Sequence, residues 1–357
     1  MITSKKRTEE DYRKVSMDSS SSLKMFSNNR KQYYKKYFLE EKVEEKENLA
    51  ANMGRIVETL LMEPHLFDDK FYMSSCASTP TGLMLEFTEA LYRITRDATD
   101  EFGVVTRNMA DMTKEAYTLS GYKIPYERVM SGTDKTPGFI GGDAEIYYNE
   151  IRTVRSKNLT VINTMEVSIA EKIVEQLKTN STTAPIVNLV NSSRYEVIDQ
   201  MQVEGYEIDG HKFKSMLDKV VIDHKEKTIQ PYDLKCTWSV ENFYEEYYLY
   251  RRAYIQAYLY FNAMLHLVKT DDSPYYGYTV NFLQFIVCDS TNYYQPLIYT
   301  LENFDMLAAY EGFLHKGRTY PGVKDLIEAL KWCRETNTWN ISHKNYLSNG
   351  IVNIKGV

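Results

Sequence analysis

The sequence predicts an α/β fold in which a mixed central β-sheet is flanked by helices and carries a large, mainly helical insertion. Short β-prone runs cluster at 195–206, 212–222 and 228–236, and two more occur at 278–288 and 293–299. A helical stretch at 240–268 divides the first three runs from the last two, and helices near 301–316 and 323–335 complete the order. Residues 80–190, by contrast, have a helical texture broken by turns near Gly121, Pro137-Gly138 and Gly141-Gly142.

The chain divides accordingly. Residues 1–18 are polar and expected to be loosely ordered. Residues 19–75 supply N-terminal helices, 76–194 the insertion, 195–340 the core sheet with its flanking helices, and 341–357 a tail. Ser19-Ser20-Ser21-Ser22 offers an N-cap for a helix starting near Ser22. Another helix is expected from about Leu49 to Met62, with Ile56, Val57, Leu60 and Leu61 on its apolar side and Pro64 as its stop.

Composition narrows the class. The chain has 357 residues, 43% hydrophobic and 26% charged, as in an ordinary soluble globular protein. No run approaches the ~18 apolar residues of a transmembrane helix. The N-terminus has no apolar signal region, so a cytoplasmic location is expected. Cys76, Cys236, Cys288 and Cys333 form no CxxC pair, so isolated reduced thiols are expected rather than a disulfide framework or zinc ribbon. Gly141-Gly142-Asp143 is followed by no G-K-[ST], and no ATPase activity is expected. A net charge of -6 argues against a surface coated in basic groups, but leaves room for a local one. The best local candidate is 24–36, where Lys24, Arg30, Lys31, Lys35 and Lys36 are interleaved with Phe26, Tyr33 and Tyr34 and no acid intervenes. It suits phosphate contact, and equally a solvated helix face.

The chemistry centres on the second and third β-prone runs. Two apolar runs flank His224-Lys225-Glu226-Lys227, a hairpin signal. A turn centred on Lys225-Glu226 pairs His224 with Lys227 and, counting back, sets Asp218 opposite Asp233. The two carboxylates then share a face with Cβ atoms roughly 5 Å apart, where like charges repel. A divalent cation would remove that repulsion, and hard oxygen ligands suit Mg²⁺ or Mn²⁺. Lys235 falls on the face of Asp233, two residues on, where an ammonium can orient water and stabilise charge on phosphate. D-x-K alone is a common surface pair; the added Asp218, the hairpin spacing and the apolar surroundings are what single it out.

Two helical features add to this. In Gly54-Arg55-Ile56-Val57-Glu58, Glu58 lies one turn after Gly54 and could reach the metal, although a lone helical Glu is commonly solvated. Gly in a helix costs up to ~1 kcal/mol relative to Ala, and a close approach by another backbone would account for it. Tyr248, Arg252, Gln256 and Tyr260 recur every four residues as one stripe. Arg252 could grip a phosphate and Gln256 could bond a backbone or base edge; alternatively the tyrosines pack and Arg252 faces solvent. His211, His224 and His266 are scattered and read as surface or packing residues. Glu196 could approach the site, though a structural role suits it better.

Together these elements resemble the PD-(D/E)XK nuclease superfamily, and within it the RecE-like (exonuclease VIII) and lambda exonuclease group related to the RecB nuclease domain. The matching pieces are Ser19–Lys24, Gly54-Arg-Ile-Val-Glu58 with the following Thr-Leu-Leu-Met-Glu-Pro, Met216-Leu217-Asp218-Lys219-Val220, Tyr232-Asp233-Leu234-Lys235-Cys236-Thr237, and the Q-x-x-x-Y of Gln256–Tyr260. They cover roughly 19–75 and 195–300, in the right order. The resemblance implies a restriction-endonuclease-like core and a Mg²⁺- or Mn²⁺-dependent DNA exonuclease acting at duplex ends in phage-type recombination. Asp218 and Asp233 would ligate the metal with help from the Leu234 carbonyl, Lys235 would position water, and Gln256 and Tyr260 would organise the site and touch the strand. Arg55 joins Arg252, Lys24, Arg30 and Lys31 as a candidate DNA contact. Such enzymes often work beside a single-strand annealing protein and as ring-like homo-oligomers. RecE-like proteins usually carry His where this chain has Glu58, and the grouped cysteines of iron–sulfur relatives are missing. The rivals are an endonuclease of the same fold, such as a restriction or junction-resolving enzyme, a catalytically inactive DNA-binding protein, and a helix-rich interaction protein whose motifs match by accident.

Overall fold

A computed structural model of the chain describes residues 7–41, 49–134, 136–291 and 295–352. Residues 40–47 are rich in acid in the sequence and lie outside the described residues from 42 onward, as do Tyr293 and Tyr294 of the last strand candidate and residues 353–357 of the tail. The chain forms two compact units, Met1–Glu63 with Ile169–Val357, and Pro64–Ser168.

The first unit is built on a mixed sheet. Its strands are β1 (Tyr195–Ile208), β2 (His211–Asp223), β3 (Thr228–Thr237), β4 (Thr279–Val280), β5 (Gln284–Asp289) and β6 (Leu297–Tyr299). The order is β6-β5-β3-β2-β1, with β4 also paired to β3. β1, β2 and β3 form an antiparallel meander, β4 and β5 run parallel to β3, and β6 is antiparallel to β5. Asp209-Gly210 makes the first turn with φ of 50° and 68°, values that suit the right-handed twist of a tight hairpin. The second turn is the four-residue His224–Lys227, because Asp223 pairs with Thr228. There the Asp223 carboxylate accepts the Lys225 and Glu226 N–H groups at 3.0 and 3.1 Å. The 278–288 candidate is thus two strands rather than one.

Helices cover both faces. α4 (Ala253–Lys269) is buried nearly all round and packs across β1, β2 and β3. α3 (Leu49–Met62) packs against β3. Gln256 of α4 reaches Asp233, whereas Gly54 of α3 lies over Cys236. Side chains alternate along a strand, so the two helices sit on opposite faces. The helix expected at 240–268 is interrupted. Tyr244–Tyr250 is a π-helical segment, and Arg252 follows with a left-handed φ of 57°. The consecutive residues Tyr247, Tyr248 and Leu249 of this segment are all buried. The 301–316 helix is also shorter: it is Asn303–Glu311, followed by a small hairpin of Phe313–His315 and Arg318–Tyr320.

Residues 7–18 are not loose. A short helix, α1 (Glu9–Lys14), ends on the ammonium of Lys214, which donates to the Tyr12, Arg13 and Val15 carbonyls at 2.7, 3.2 and 2.8 Å. Asp18 precedes α2 (Ser20–Asn28), whose capping box is formed by Ser19 and Ser22. Its buried carboxylate accepts from Ser22, Tyr33, His211 and Arg334 at 2.7 to 2.9 Å. His211, read from the sequence as an ordinary residue, therefore joins a charged cluster; Arg334 comes from α5 (Val323–Thr336). Cys236 and Cys288 are not isolated either. They pair across β3 and β5 with their sulfurs 3.0 Å apart, both thiols free.

The second unit is helical. Gly82–Asp97, Met109–Ser120, Tyr126–Ser131 and Asp143–Lys157 are its main helices, around a core of Phe87, Leu91, Met112, Phe139 and Tyr148. It is smaller than the expected 76–194 insertion, because helical residues from Ile169 onward belong to the first unit. Among the described residues no helix is long and apolar enough to cross a membrane.

The Asp18 cluster makes a stability prediction. Burial opposes the charged carboxylate, but the His211, Arg334, Tyr33 and Ser22 contacts outweigh it and hold Asp18 down at about 2 from an ordinary 3.8. A depressed carboxylate stabilises the fold above its unfolded value, and that contribution is lost as pH falls through the folded one. Asp18→Ala should cost about 1–3 kcal/mol at neutral pH, read from urea unfolding, because it leaves the buried Ser22 and Tyr33 hydroxyls and the His211 ring without their acceptor. The difference from wild type should shrink as pH falls from 4 towards ~2. A variant as stable as wild type at neutral pH would show that the cluster does not anchor the N-terminal segment.

Candidate active site

The β2–β3 ladder runs from Asp223↔Thr228 to Lys219↔Tyr232 and goes no further. The next rung in that register would be Asp218 with Asp233, the pair expected from the hairpin count. It does not form. The Asp218 side chain instead takes the place of a strand, accepting the Leu234 N–H at 2.8 Å. β3 meanwhile stays paired with β5 through Tyr232–Thr237. The two strands separate at the carboxylates, which opens the sheet at this point.

Asp233 is fully buried. Gln256 Nε2 donates to its Oδ1 at 2.6 Å. Its Oδ2 makes no well-formed hydrogen bond and meets the Lys235 ammonium. Lys235 Nζ also reaches the Leu234 carbonyl at 3.3 Å. Gln256 is held at its other end: Lys24 Nζ donates to Gln256 Oε1 at 2.9 Å. Lys24 therefore points into the site and leaves the surface stretch in which the sequence placed it. Tyr260 is buried one turn beyond Gln256, its phenol pushed well up by burial and by the Asp233 and Asp218 carboxylates. That position suits organising the site rather than touching a strand.

Glu58 enters from α3. Its Oε1 accepts from Gln200 Nε2 at 2.5 Å. Gln200 was not singled out from the sequence. It lies on β1 between Asp199↔Lys219 and Met201↔Leu217, the rung that Asp218 would share, and that rung is missing. Its φ of 53° breaks the strand conformation. A non-glycine residue there is strained, and such strain gathers at functional sites. No residue pattern announces it, since a Gln within a β-prone run carries no turn signal. Gly54 is not the close approach expected. A Cβ there would lie 3.8 Å from Cys236 Cβ, an ordinary contact.

Electrostatically the site is short of positive charge. Burial, then repulsion from Asp233 and Glu58, pushes the Asp218 carboxyl well above the usual carboxylate range, against the pull of Lys235 and the Leu234 N–H. Burial works against a charged Lys235, but Asp233 and Asp218 hold its ammonium above the ordinary lysine value. Burial drives Lys24 down to about 7, with Lys235 adding to the shift and Asp233 opposing it. Among the described residues no three His, Cys, Asp or Glu side chains are already gathered as a metal site. The chemistry of the donor set nevertheless fits a hard divalent cation: oxygen ligands only, with Asp218 crowded by the Asp233 and Glu58 carboxylates so that its proton affinity is raised.

The other expected contacts are scattered. Arg252 is the left-handed residue ahead of α4, so it leaves the stripe of Tyr248, Gln256 and Tyr260. It is half-buried with Nη1 lacking a hydrogen-bond partner. Arg30 lies over the Phe26 ring at 5.6 Å, and Lys31 and Arg55 are exposed. Glu196 pairs with His224 at 3.3 Å and accepts from Tyr275 at 3.1 Å, in a structural role.

No protein-family profile matches the chain, and no curated protein matches it. Among solved structures, a Eubacterium rectale protein described as a putative exonuclease is similar over 99% of this chain and 96% of that one, with a TM-score of 0.46 and 12% identity.

Gly54→Ala tests the helix–strand contact. The added methyl has room, and Ala is the better helix former, so the variant should unfold at the same or higher urea concentration, by up to ~1 kcal/mol. A marked loss would mean that α3 approaches β3 more closely than Cys236 Cβ implies.

Proposed function

We propose that the chain is a metal-dependent deoxyribonuclease of PD-(D/E)XK type, acting as an exonuclease on duplex ends. The observation that supports it is the meeting of Asp218, Asp233 and Lys235 where β2 and β3 separate, with the buried Asp233 Oδ2 paired to the Lys235 ammonium. Asp218 and Asp233 would hold Mg²⁺ or Mn²⁺, with the Leu234 carbonyl and Glu58 as further donors. Such a cation, when bound, makes water a stronger nucleophile and neutralises charge on a phosphoryl group.

The remaining chemistry belongs to the chain's own groups. Lys235 keeps its proton between two carboxylates. It is placed to donate a hydrogen bond to the attacking water or to a non-bridging phosphate oxygen. Gln256 fixes Asp233 Oδ1 and so keeps Oδ2 turned towards the Lys235 ammonium. Gln200 fixes Glu58. Arg55, Arg30, Lys31 and Arg252 are the groups that would meet the phosphate backbone, which positions a strand without reading its sequence.

End-labelled linear duplex DNA, incubated with Mg²⁺, Mn²⁺ or EDTA, tests this directly. Label should be released only with metal, and Asp233→Ala and Lys235→Ala should each lower the rate by at least ~10²-fold. A covalently closed plasmid should survive; its cleavage would replace the exonuclease by an endonuclease. Absence of cleavage of any DNA by folded wild type with either metal would overturn the nuclease reading.

A further inference from the structure

We propose that Lys24 is a positioning residue of this centre, acting through Gln256 to fix the amide that holds Asp233. The inference rests on the nuclease reading for its kinetic test, but its structural half stands alone. The chain of contacts runs from Lys24 Nζ to Gln256 Oε1 at 2.9 Å, and from Gln256 Nε2 to Asp233 Oδ1 at 2.6 Å. It joins α2, α4 and β3, which are 232 and 23 residues apart along the chain.

A buried glutamine amide has two nearly isosteric ends, and its neighbours decide which faces where. With Lys24 on one side and Asp233 on the other, only one orientation is favourable. Turning the amide over would set Oε1 against the carboxylate and its NH₂ group against the ammonium. Without Lys24 the Asp233 end still prefers Nε2, but Oε1 is left buried without a donor, and the side chain is free to swing away. The Asp233 carboxylate would then lose the bond that directs Oδ2 towards Lys235. Lys24 also differs from its neighbours in the basic stretch. It is directed at Gln256, while Lys31 is exposed and Arg30 lies on an aromatic ring. A lysine used to grip DNA would need the opposite arrangement.

The test is a double-mutant cycle on the full chain with Lys24→Met, Lys24→Arg, Gln256→Ala and the Lys24→Met/Gln256→Ala double variant. With Mn²⁺ and end-labelled duplex, Lys24→Met and Gln256→Ala should each lower kcat about 10–100-fold, the usual effect of losing a group that orients a ligand. KM should change little, and Lys24→Arg should recover most of the rate because guanidinium can donate to the same oxygen. The double variant should be no slower than the worse single one. Losses that multiply, or a raised KM with kcat intact, would overturn the proposal and make Lys24 a DNA contact. If wild type cleaves nothing, the nuclease reading fails by itself and urea unfolding decides the matter. A double variant that unfolds at the midpoint of the worse single one supports the coupling; shifts that add in full overturn it.

Discussion

The hydrogen bond from the Leu234 N–H to the Asp218 carboxylate is the constraint on which the centre depends. A strand that leaves its neighbour normally exposes backbone donors, and a buried donor without an acceptor is costly. Asp218 meets that need with a side chain, so β2 and β3 can separate without leaving Leu234 unsatisfied. Because β3 keeps its ladder with β5, the separation does not propagate into the core. The carboxylate that closes the backbone account at this point is also the one crowded by Asp233 and Glu58. Structure and charge thus compete for the same group.

The rest of the site is held from both faces of β3. α4 is buried on nearly every side and carries Gln256 and Tyr260 as inclusions in an apolar post. A rigid, close-packed helix is a good mount for an amide that must stay within hydrogen-bonding reach of Asp233. α3 works from the other face, where Ile56 and Val57 are buried and Glu58 is left at the edge beside the distorted rung of β1. The strain at Gln200 falls where it brings two remote acids, Glu58 and Asp218, into one neighbourhood.

Much of the sheet was legible because β-prone runs and turn residues act locally. The register of the β2–β3 hairpin could be counted from the length of the polar segment, and that register does extend from Asp223 to Lys219. The count could not reveal that the ladder stops one rung short, since termination depends on what packs above and below. Asp233, Lys235 and Gln256 could be picked out by spacing. Gln200 could not, because its φ is set by tertiary contacts. Lys24 looked like one of several surface cations for the same reason: nothing in a run of basic residues says which of them turns inward. The single helix expected at 240–268 is interrupted by the π-helical turn and the left-handed Arg252, features that no Gly or Pro within the run announces.

The Asp18 cluster has a consequence for biosynthesis. Its partners are drawn from Ser22 and Tyr33 near one end of the chain, His211 in the middle and Arg334 near the other. A nascent polypeptide holds the first of these long before the last has been translated, and the buried carboxylate has no guanidinium to meet until α5 emerges. The first unit is itself discontinuous, with a helical unit inserted between its two segments. Vectorial folding can therefore complete the inserted unit early, but the unit that carries the acidic centre must wait until Arg334 of α5 has been translated.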